Sequence, residues 1–159
     1  MTTVTDFRVR AAAPGDLPPV RELLRAAGLP TEGVDTPGAF VVAEAEGRVV
    51  AAAGLERHGR SGLLRSVVVD PAWRGRRVGE AVVSRVLAMA DVSGLSAVYL
   101  LTTTADAWFP RFGFGAAPRD EAPPEIRCAG EFAALCPASA VLMVRPSAAP
   151  SMATAEAGG

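Results

Sequence analysis

The segment from Val67 to Val83, VVVDPAWRGRRVGEAVV, limits the possible folds more than any other part of the chain. Its apolar run up to Val69 predicts a buried strand, and the Asp70-Pro71 pair predicts a turn. An apolar-periodic segment that predicts a helix begins within Arg74 to Gly79. The first turn of a helix has N–H groups without intrahelical partners, and the helix dipole adds positive potential there. The segment therefore predicts a site for a phosphate or pyrophosphate.

Three phosphate-binding patterns can be compared with this segment. The P-loop requires a lysine, and the sequence has none, while the dinucleotide pattern GxGxxG is also absent. The third pattern, V-x-P-x-x-[RQ]-x-x-G-x-[GA], matches in register at Val69, Pro71, Arg74 and Gly79, with Arg77 where glycine is usual. Through these residues the chain resembles the GNAT superfamily of N-acetyltransferases.

The resemblance implies that this segment binds acetyl-coenzyme A. The turn and the helix start would hold the pyrophosphate, and a main-chain N–H around Val68 or Val69 would reach the thioester carbonyl. The alternative is an ordinary solvated, arginine-rich helix start. The implied cofactor-binding residues are Val67, Val68, Val69, Arg74, Gly75, Arg76, Arg77, Val78 and Gly79.

Length and composition favour a single soluble domain. The chain has 159 residues, and half of them are apolar, which is enough for a core. A net charge of −1 gives no indication of a nucleic-acid surface. The sequence shows neither a signal peptide nor an apolar run of membrane-spanning length. We expect a cytoplasmic protein without nucleic-acid or membrane partners, in which Cys128 and Cys136 are reduced, buried thiols.

Hydrophobic periodicity predicts alternating strands and helices. Strands are expected at 7–11, 40–45, 49–56, 63–69, 97–102, after 115 and at 141–144. Helices are expected at 17–27, from the segment 74–79 to about 92, and at 104–112. Asp16 is expected to cap the first helix and Gly28 to end it. Residues 58–62 are expected to form a turn, and residues 146–159 a disordered tail beyond a domain of residues 1–145.

This order is that of the GNAT fold. The resemblance implies an α/β (α+β mixed) domain with a central, mostly antiparallel twisted sheet of six to seven strands. It also implies that strands 4 and 5 splay apart and that helices cover both faces.

A second motif extends the resemblance. Trp108-Phe109-Pro110-Arg111-Phe112-Gly113-Phe114 resembles the aromatic-Tyr-x-x-x-Gly-Phe segment of the family. The tyrosine, which commonly protonates the departing thiolate, is replaced by Phe109. The resemblance places Phe109 at the cofactor, where it has no proton to donate.

The chain also resembles two subgroups of the GNAT superfamily. Leu100 to Ala105, LLTTTA, is similar to both the glutamate N-acetyltransferases and the arsenic-resistance N-acetyltransferases. The segments 62–66, 124–127, 131–132 and 135–140 look more like the second group. That resemblance implies an enzyme acetylating the primary amine of a small amino-acid-like compound, such as an organoarsenical or a phosphinothricin-like molecule. A glutamate-type amino-acid N-acetyltransferase is the alternative.

Acetyl transfer from a thioester requires a deprotonated amine. Because an α-amino group has a pKa near ~8, a carboxylate acting through water would suffice, and Glu56 is the candidate base. The adjacent His58 is expected to be a solvated turn residue. Arg65 and Ser66 are the candidate substrate-binding residues, since a guanidinium suits a carboxylate or other anion. No metal is expected.

The substitutions at Arg77, Phe109 and Pro110 leave a second class of function open. A degenerate domain of this family could bind acyl-coenzyme A as a sensor or as a partner-binding module. Release of coenzyme A in the presence of candidate amines distinguishes the two. The resemblance also implies a homodimer, since dimers are common in the family.

Overall fold

The computed structural model describes residues 7–29, 31, 34, 40–103, 105–127 and 140–146. The described strands are β1 Arg8–Ala11, β2 Phe40–Ala45, β3 Arg48–His58, β4 Ser61–Val69, β5 Ala97–Thr102, β6 Gly115–Ala117 and β7 Val141–Pro146. The described α-helices are α1 Leu17–Ala26, α2 Val78–Val92 and α3 Pro124–Arg127. Short 3-10 helices cover Pro14–Asp16, Pro71–Trp73, Phe109–Phe112 and Arg119–Glu121.

The chain forms two compact units. The first contains the described residues of Met1–Leu55 and Ser66–Val86, and the second those of Glu56–Arg65 and Leu87–Gly159. Strands β3 and β4 therefore contribute residues to both units.

The first unit contains the strand order β1-β2-β3-β4. Strands β1 and β2 are antiparallel, as are β2 and β3, with a bulge between Ala43 and Glu44. The β2–β3 turn places Glu46 and Gly47 at φ 55° and 77°, the left-handed pair of a tight hairpin. Apolar residues of α1 pack with those of the sheet and exclude water from this core. The core members are Leu17, Val20, Leu24, Val34, Phe40, Val42, Val49, Ala52 and Val68.

Helix α1 begins differently from the prediction. Asp16 makes no side-chain capping bond. The second and third residues of the helix are Pro18 and Pro19, which have no N–H for a capping oxygen to accept. The Asp16 carboxylate instead accepts two hydrogen bonds from the Arg10 guanidinium, at 2.7 and 3.1 Å, and one from the Ala13 N–H at 2.7 Å.

The predicted end of α1 is confirmed. Gly28 has φ 74°, the left-handed conformation that costs glycine little. The Gly28 N–H donates to the carbonyl of Arg25, and the Leu29 N–H donates to that of Leu24. These two bonds satisfy carbonyls that the last helical turn leaves open.

The second unit contains the strand order β3-β4-β5-β7-β6. Strands β4 and β5 are parallel, and their register covers Ser61–Leu63 against Ala97–Tyr99, whereas β4 continues to Val69. Strand β7 is antiparallel to both β5 and β6. The sequence prediction of a mostly antiparallel sheet of up to seven strands, with a separation between β4 and β5, is confirmed. The core of this unit contains Leu63, Ala122, Ile126 and Leu142.

Three predicted elements differ from those observed. Strand β3 extends to His58 and β4 begins at Ser61, so only Gly59 and Arg60 form the turn expected over 58–62. The helix expected over 104–112 is a 3-10 helix at Phe109–Phe112, since Pro110 removes an N–H from its start. Pro146 belongs to β7 and not to a tail.

Some predictions fall on residues that the structure does not describe, among them Thr104, Cys128, Cys136 and 147–159. Among the described helices, none has the length and apolarity needed to cross a bilayer.

Candidate functional site

Strand β4 has an unusual backbone just before the predicted cofactor segment. Ser66 lies at φ 57°, which is rare for a residue inside a strand. Such a residue interrupts the regular alternation of N–H and C=O groups along the strand. Val68 is buried, while Val67 and Val69 are partly exposed. The local geometry is therefore that of a distorted strand in the first unit.

A 3-10 turn joins β4 to helix α2. The Asp70 carboxylate caps it by accepting the Ala72 N–H at 2.9 Å, and it also accepts a bond from Arg48 at 3.0 Å. These two donors hold the pKa of the Asp70 carboxyl below its usual value. Trp73 is buried, and the Arg76 guanidinium stacks 4.7 Å from the centre of its ring. The turn is thereby anchored at both ends.

The residues that lead into α2 are exposed and cationic. Arg74, Gly75, Arg76 and Arg77 are all solvent-exposed. Gly75 has φ 80° and Arg77 has φ 65°. The position at which the sequence pattern normally has glycine thus adopts a left-handed backbone, which glycine accepts without steric cost and arginine does not.

Helix α2 starts directly after these cations. Val78 and Gly79 are buried, and the Ala81 N–H donates to the Arg77 carbonyl at 3.1 Å. The N–H groups of Val78, Gly79 and Glu80 precede that bond and so have no partner within the helix. Free N–H groups, the helix dipole and three neighbouring guanidinium groups provide the chemistry required to bind a pyrophosphate.

A second group of predicted residues meets in the second unit. Glu56 and His58 lie on β3, and Arg65 lies on β4. The Arg65 guanidinium donates to Glu56 Oε2, and His58 Nε2 lies 2.9 Å from Glu56 Oε1. Arg65 is only 7% exposed. Within the described residues, no group of three or more His, Cys, Asp and Glu side chains could hold a metal ion.

Glu56 is ionised in this arrangement. Burial by itself would raise the pKa of the Glu56 carboxyl, but hydrogen bonds from His58 and Arg65 outweigh burial and lower that pKa. The carboxylate therefore stays charged near neutral pH and accepts a bond at each oxygen.

The aromatic motif forms a compact cluster in the second unit. Phe109 is 7% exposed, and its ring centre lies 4.9 Å from that of Trp108 and 5.8 Å from that of Phe114. Arg145 fixes the end of the motif, because it donates to the Phe112 carbonyl at 3.0 Å and forms two bonds with the Asp91 carboxylate.

The predicted site residues thus fall into separate groups. The first unit contains Ser66, Val67, Val68, Val69 and the segment from Arg74 to Gly79. The second unit contains Glu56, Arg65 and Phe109. His58 was not among the predicted site residues, since it was expected to be a solvated turn residue. It is half-buried and bonded to Glu56. The only signal available was the strand spacing of Glu56 and His58, which places both on the same face.

Comparison with known proteins gives a family. The model of the acetyltransferase (GNAT) domain matches residues 36–115, about half of the chain. The "Amino-acid acetyltransferase" of Pseudomonas fluorescens strain Pf-5 is 34% identical over 77 residues, and that of strain SBW25 has the same identity. The match covers 47% of this chain and 18% of either relative, so the chain spans less than a fifth of their length.

Solved structures agree with this result. N-acetylglutamate synthase from Neisseria gonorrhoeae, complexed with coenzyme A and N-acetyl-glutamate, is similar with a TM-score of 0.76 and 23% identity, over 89% of this chain and 35% of that chain. A Mycobacterium tuberculosis protein in complex with CoA has a TM-score of 0.75 and 26% identity, over 87% and 98% of the two chains. The fold is shared with these proteins, and the family match covers the whole segment from β2 to the start of β6. The chain belongs to the GNAT acetyltransferase family.

Proposed function

We propose that the protein transfers the acetyl group of acetyl-coenzyme A to the primary amine of a small amino acid or amino-acid-like compound. The observation that carries the proposal is the cationic turn at Arg74–Arg77, which leads into the open N–H groups of α2 within the family match. Two relatives named amino-acid acetyltransferase, each 34% identical, support the class of substrate.

The first unit is assigned the cofactor role. The N–H groups at the start of α2 bind the pyrophosphate, and Arg74, Arg76 and Arg77 neutralise its charge. A main-chain N–H of Val68 or Val69 donates to the thioester carbonyl, where negative charge develops during attack. Side chains are not required for that contact, which suits a strand made of valines.

The second unit is assigned the proton-transfer role. Glu56 and its hydrogen-bonded neighbours would draw the proton from the substrate ammonium, and Arg65 keeps Glu56 charged. An additional direct contact from Arg65 or Ser66 to a substrate anion stays a prediction. Because Phe109 has no ionisable group, the departing thiolate takes its proton from water.

Two classes of amine are candidates for the acceptor of the acetyl group. The relatives named amino-acid acetyltransferase favour an amino acid as the acceptor, and the resemblance of Leu100 to Ala105 to the glutamate N-acetyltransferases makes glutamate one candidate. The segments 62–66, 124–127, 131–132 and 135–140 favour an organoarsenical or phosphinothricin-like acceptor, through their resemblance to the arsenic-resistance group. Both acceptors carry an α-amino group beside an anionic group, so one chemistry serves both.

A screen of acceptors tests the proposal. Purified protein is incubated with acetyl-coenzyme A and each of four amine classes: free amino acids, phosphinothricin-like compounds, arsinothricin-like compounds and polyamines. Free thiol and acetylated product are both quantified, because thiol alone also reports hydrolysis. We expect thiol release with equal product formation for at least one of the first three classes.

Two outcomes contradict the proposal in different ways. Tight binding of acetyl-coenzyme A without product from any amine identifies a sensor or binding module. The second outcome concerns the pyrophosphate site. Gly79→Trp fills the start of helix α2 and should weaken the binding of acetyl-coenzyme A. Gly115→Trp on β6 is the control for the general effect of an added tryptophan. Unchanged cofactor affinity in folded Gly79→Trp would show that the pyrophosphate binds elsewhere.

A further inference from the structure

A chain of hydrogen bonds links three side chains, those of His58, Glu56 and Arg65. Arg65 is almost fully buried, with 5% of its side chain exposed, whereas Glu56 and His58 each expose 28% of theirs. Exposure thus increases from Arg65 toward the Glu56–His58 pair. The buried end fixes the carboxylate, and the accessible end carries the imidazole.

The protonation pattern of His58 follows from its partner. An ionised carboxylate can only accept hydrogen bonds, so the 2.9 Å contact between Glu56 Oε1 and His58 Nε2 requires a hydrogen on Nε2. Neutral His58 then has its basic lone pair on Nδ1. Imidazole is the side chain best suited to accept a proton near neutral pH.

Glu56 itself is a poor proton acceptor. Both of its oxygens already accept bonds, Oε1 from His58 and Oε2 from Arg65. Protonating the carboxylate would neutralise a charge that pairs with the buried Arg65 guanidinium, which is costly. The geometry therefore points to the imidazole and not the carboxylate as the group that moves a proton.

We infer that His58 Nδ1 takes the proton from the substrate ammonium, and that Glu56, held by Arg65, positions the imidazole for this step. The inference rests on the proposed acetyl transfer and replaces the assignment of Glu56 as the base. His58 is the catalytic residue, and Glu56 and Arg65 are positioning residues.

The proton balance is complete with groups already named. His58 Nδ1 takes one proton from the ammonium, and the free amine attacks the thioester carbonyl carbon. The C–N bond forms, the C–S bond breaks, and the attacking nitrogen loses a second proton. One proton ends on the coenzyme A thiol by way of water, and the other leaves the imidazolium to solvent.

Other charged groups nearby belong to three elements. On β3, Arg57 turns away and donates to the Ser93 carbonyl at 3.2 Å. On α3, the Glu125 carboxylate accepts a bond from Ser61 at 3.1 Å and lies beside Gly59. On β4, Arg65 is the facing cation. Of these groups, Glu56 is the one that bonds to the imidazole.

Two measurements test the inference. His58 is the only histidine of the chain, so uniform ¹⁵N labelling gives one imidazole with two assignable nitrogen signals. We expect the neutral form to carry its hydrogen on Nε2. We also expect its titration to coincide with the acidic limb of the kcat/KM profile, which reports the free enzyme.

Kinetics of variants supply the second measurement. His58→Gln should lower kcat at pH 7 by about 100-fold or more and leave the KM for acetyl-coenzyme A unchanged. The deficit should shrink above about pH 8, where the substrate amine loses its own proton. Glu56→Gln should cause a smaller loss and shift the tautomer toward Nδ1–H, because its amide can donate to Nε2. Arg57→Gln, between the two residues in sequence, should match the wild type.

Each contrary result has a distinct meaning. A His58→Gln variant with wild-type rate and pH profile overturns the inference and leaves acetyl transfer intact. So does a neutral imidazole with its hydrogen on Nδ1 in the wild type. If the wild-type protein acetylates no amine in the screen, the proposed function fails, and the role of His58 fails with it.

Discussion

The aromatic ring of Phe40 on β2 lies directly against Gly54, the residue paired with it on β3. A Cβ atom built at position 54 would come within 2.7 Å of Phe40 Cε1 and 3.0 Å of Cζ. Both residues are buried. Gly54 is therefore required for close packing and not for an unusual backbone conformation. The Phe40 ring occupies the space that a side chain at position 54 would need.

Gly54→Ala should lower the free energy of unfolding by about 1–3 kcal/mol, the usual cost of overpacking a core. Urea denaturation at pH 7 measures it. Adding Phe40→Leu should recover part of the loss, because the smaller side chain vacates the contact. Gly15→Ala is the matched control, since nothing lies within 4 Å of its added Cβ. Equal effects of the two alanine variants would disprove the packing argument.

The sequence allowed most of the fold to be predicted, because strong apolar periodicity marks its main elements. The bounds of β2 and β5 agree with the prediction, and α2 begins within the predicted segment 74–79 and ends at Val92 as expected. The errors arose where the local structure depends on residues that are distant in the sequence. Asp16 was expected to cap α1, yet Arg10 binds its carboxylate and two prolines remove the N–H groups that a cap would need.

The site was less readable from sequence than the fold. Ser66 and Arg77 have left-handed backbones that nothing in their residue types indicates. His58 was placed in a turn because polar residues and a glycine surround it, but strand pairing extends β3 through it. Pairing with Glu56 is a property of the folded chain that composition does not encode.

Arg77→Gly should stabilise the protein by about 0.5–1 kcal/mol, because glycine removes the steric cost of the left-handed backbone but adds freedom to the unfolded chain. Affinity for acetyl-coenzyme A should stay similar or weaken moderately through the loss of one cation. Calorimetric titration and thermal unfolding measure the two quantities. Arg74→Gly is the control, because Arg74 has an extended backbone at φ −68° and its replacement relieves no strain. A large gain in affinity for Arg77→Gly would show that Arg77 obstructs the site.

Asp16→Asn should destabilise the protein by about 1.5–3 kcal/mol at pH 7, since charge-assisted bonds to Arg10 are weakened. The Arg10 bonds lower the pKa of the Asp16 carboxyl in the folded state. A lowered folded pKa adds stability above the unfolded value, near ~3.9, and the addition is lost as pH falls through the folded value. The difference between wild type and variant should therefore shrink below about pH 4.

Chemical denaturation at pH 7 and pH 3 measures this effect. Glu22→Gln is the control, because the Glu22–Arg25 pair is exposed and should contribute little. A difference between wild type and Asp16→Asn that is constant with pH would contradict the role given to the Arg10–Asp16 pair.

Phe109→Tyr should raise kcat or leave it unchanged. In the proposed cofactor site, a phenol at position 109 would supply the departing thiolate with a proton, an effect worth ~10²–10⁴-fold where the donor is well placed. It would give no benefit if the thiolate leaves easily. Steady-state kinetics with the best amine measures the effect, with unfolding followed in parallel. Phe114→Tyr adds the same hydroxyl to the same aromatic cluster and serves as the control. A fall of more than about tenfold in a stable Phe109→Tyr variant would assign Phe109 to substrate recognition.

The left-handed backbone of Ser66 also sets which substitutions β4 can tolerate. Strands generally favour β-branched residues, and Val67, Val68 and Val69 follow that preference. At position 66 the preference is inverted, because valine or isoleucine at positive φ is heavily strained, whereas glycine, asparagine and aspartate are accepted. Neighbouring positions of a single strand thus obey opposite rules of replacement, so that a hydrophobic change harmless at residue 67 damages the protein one residue earlier.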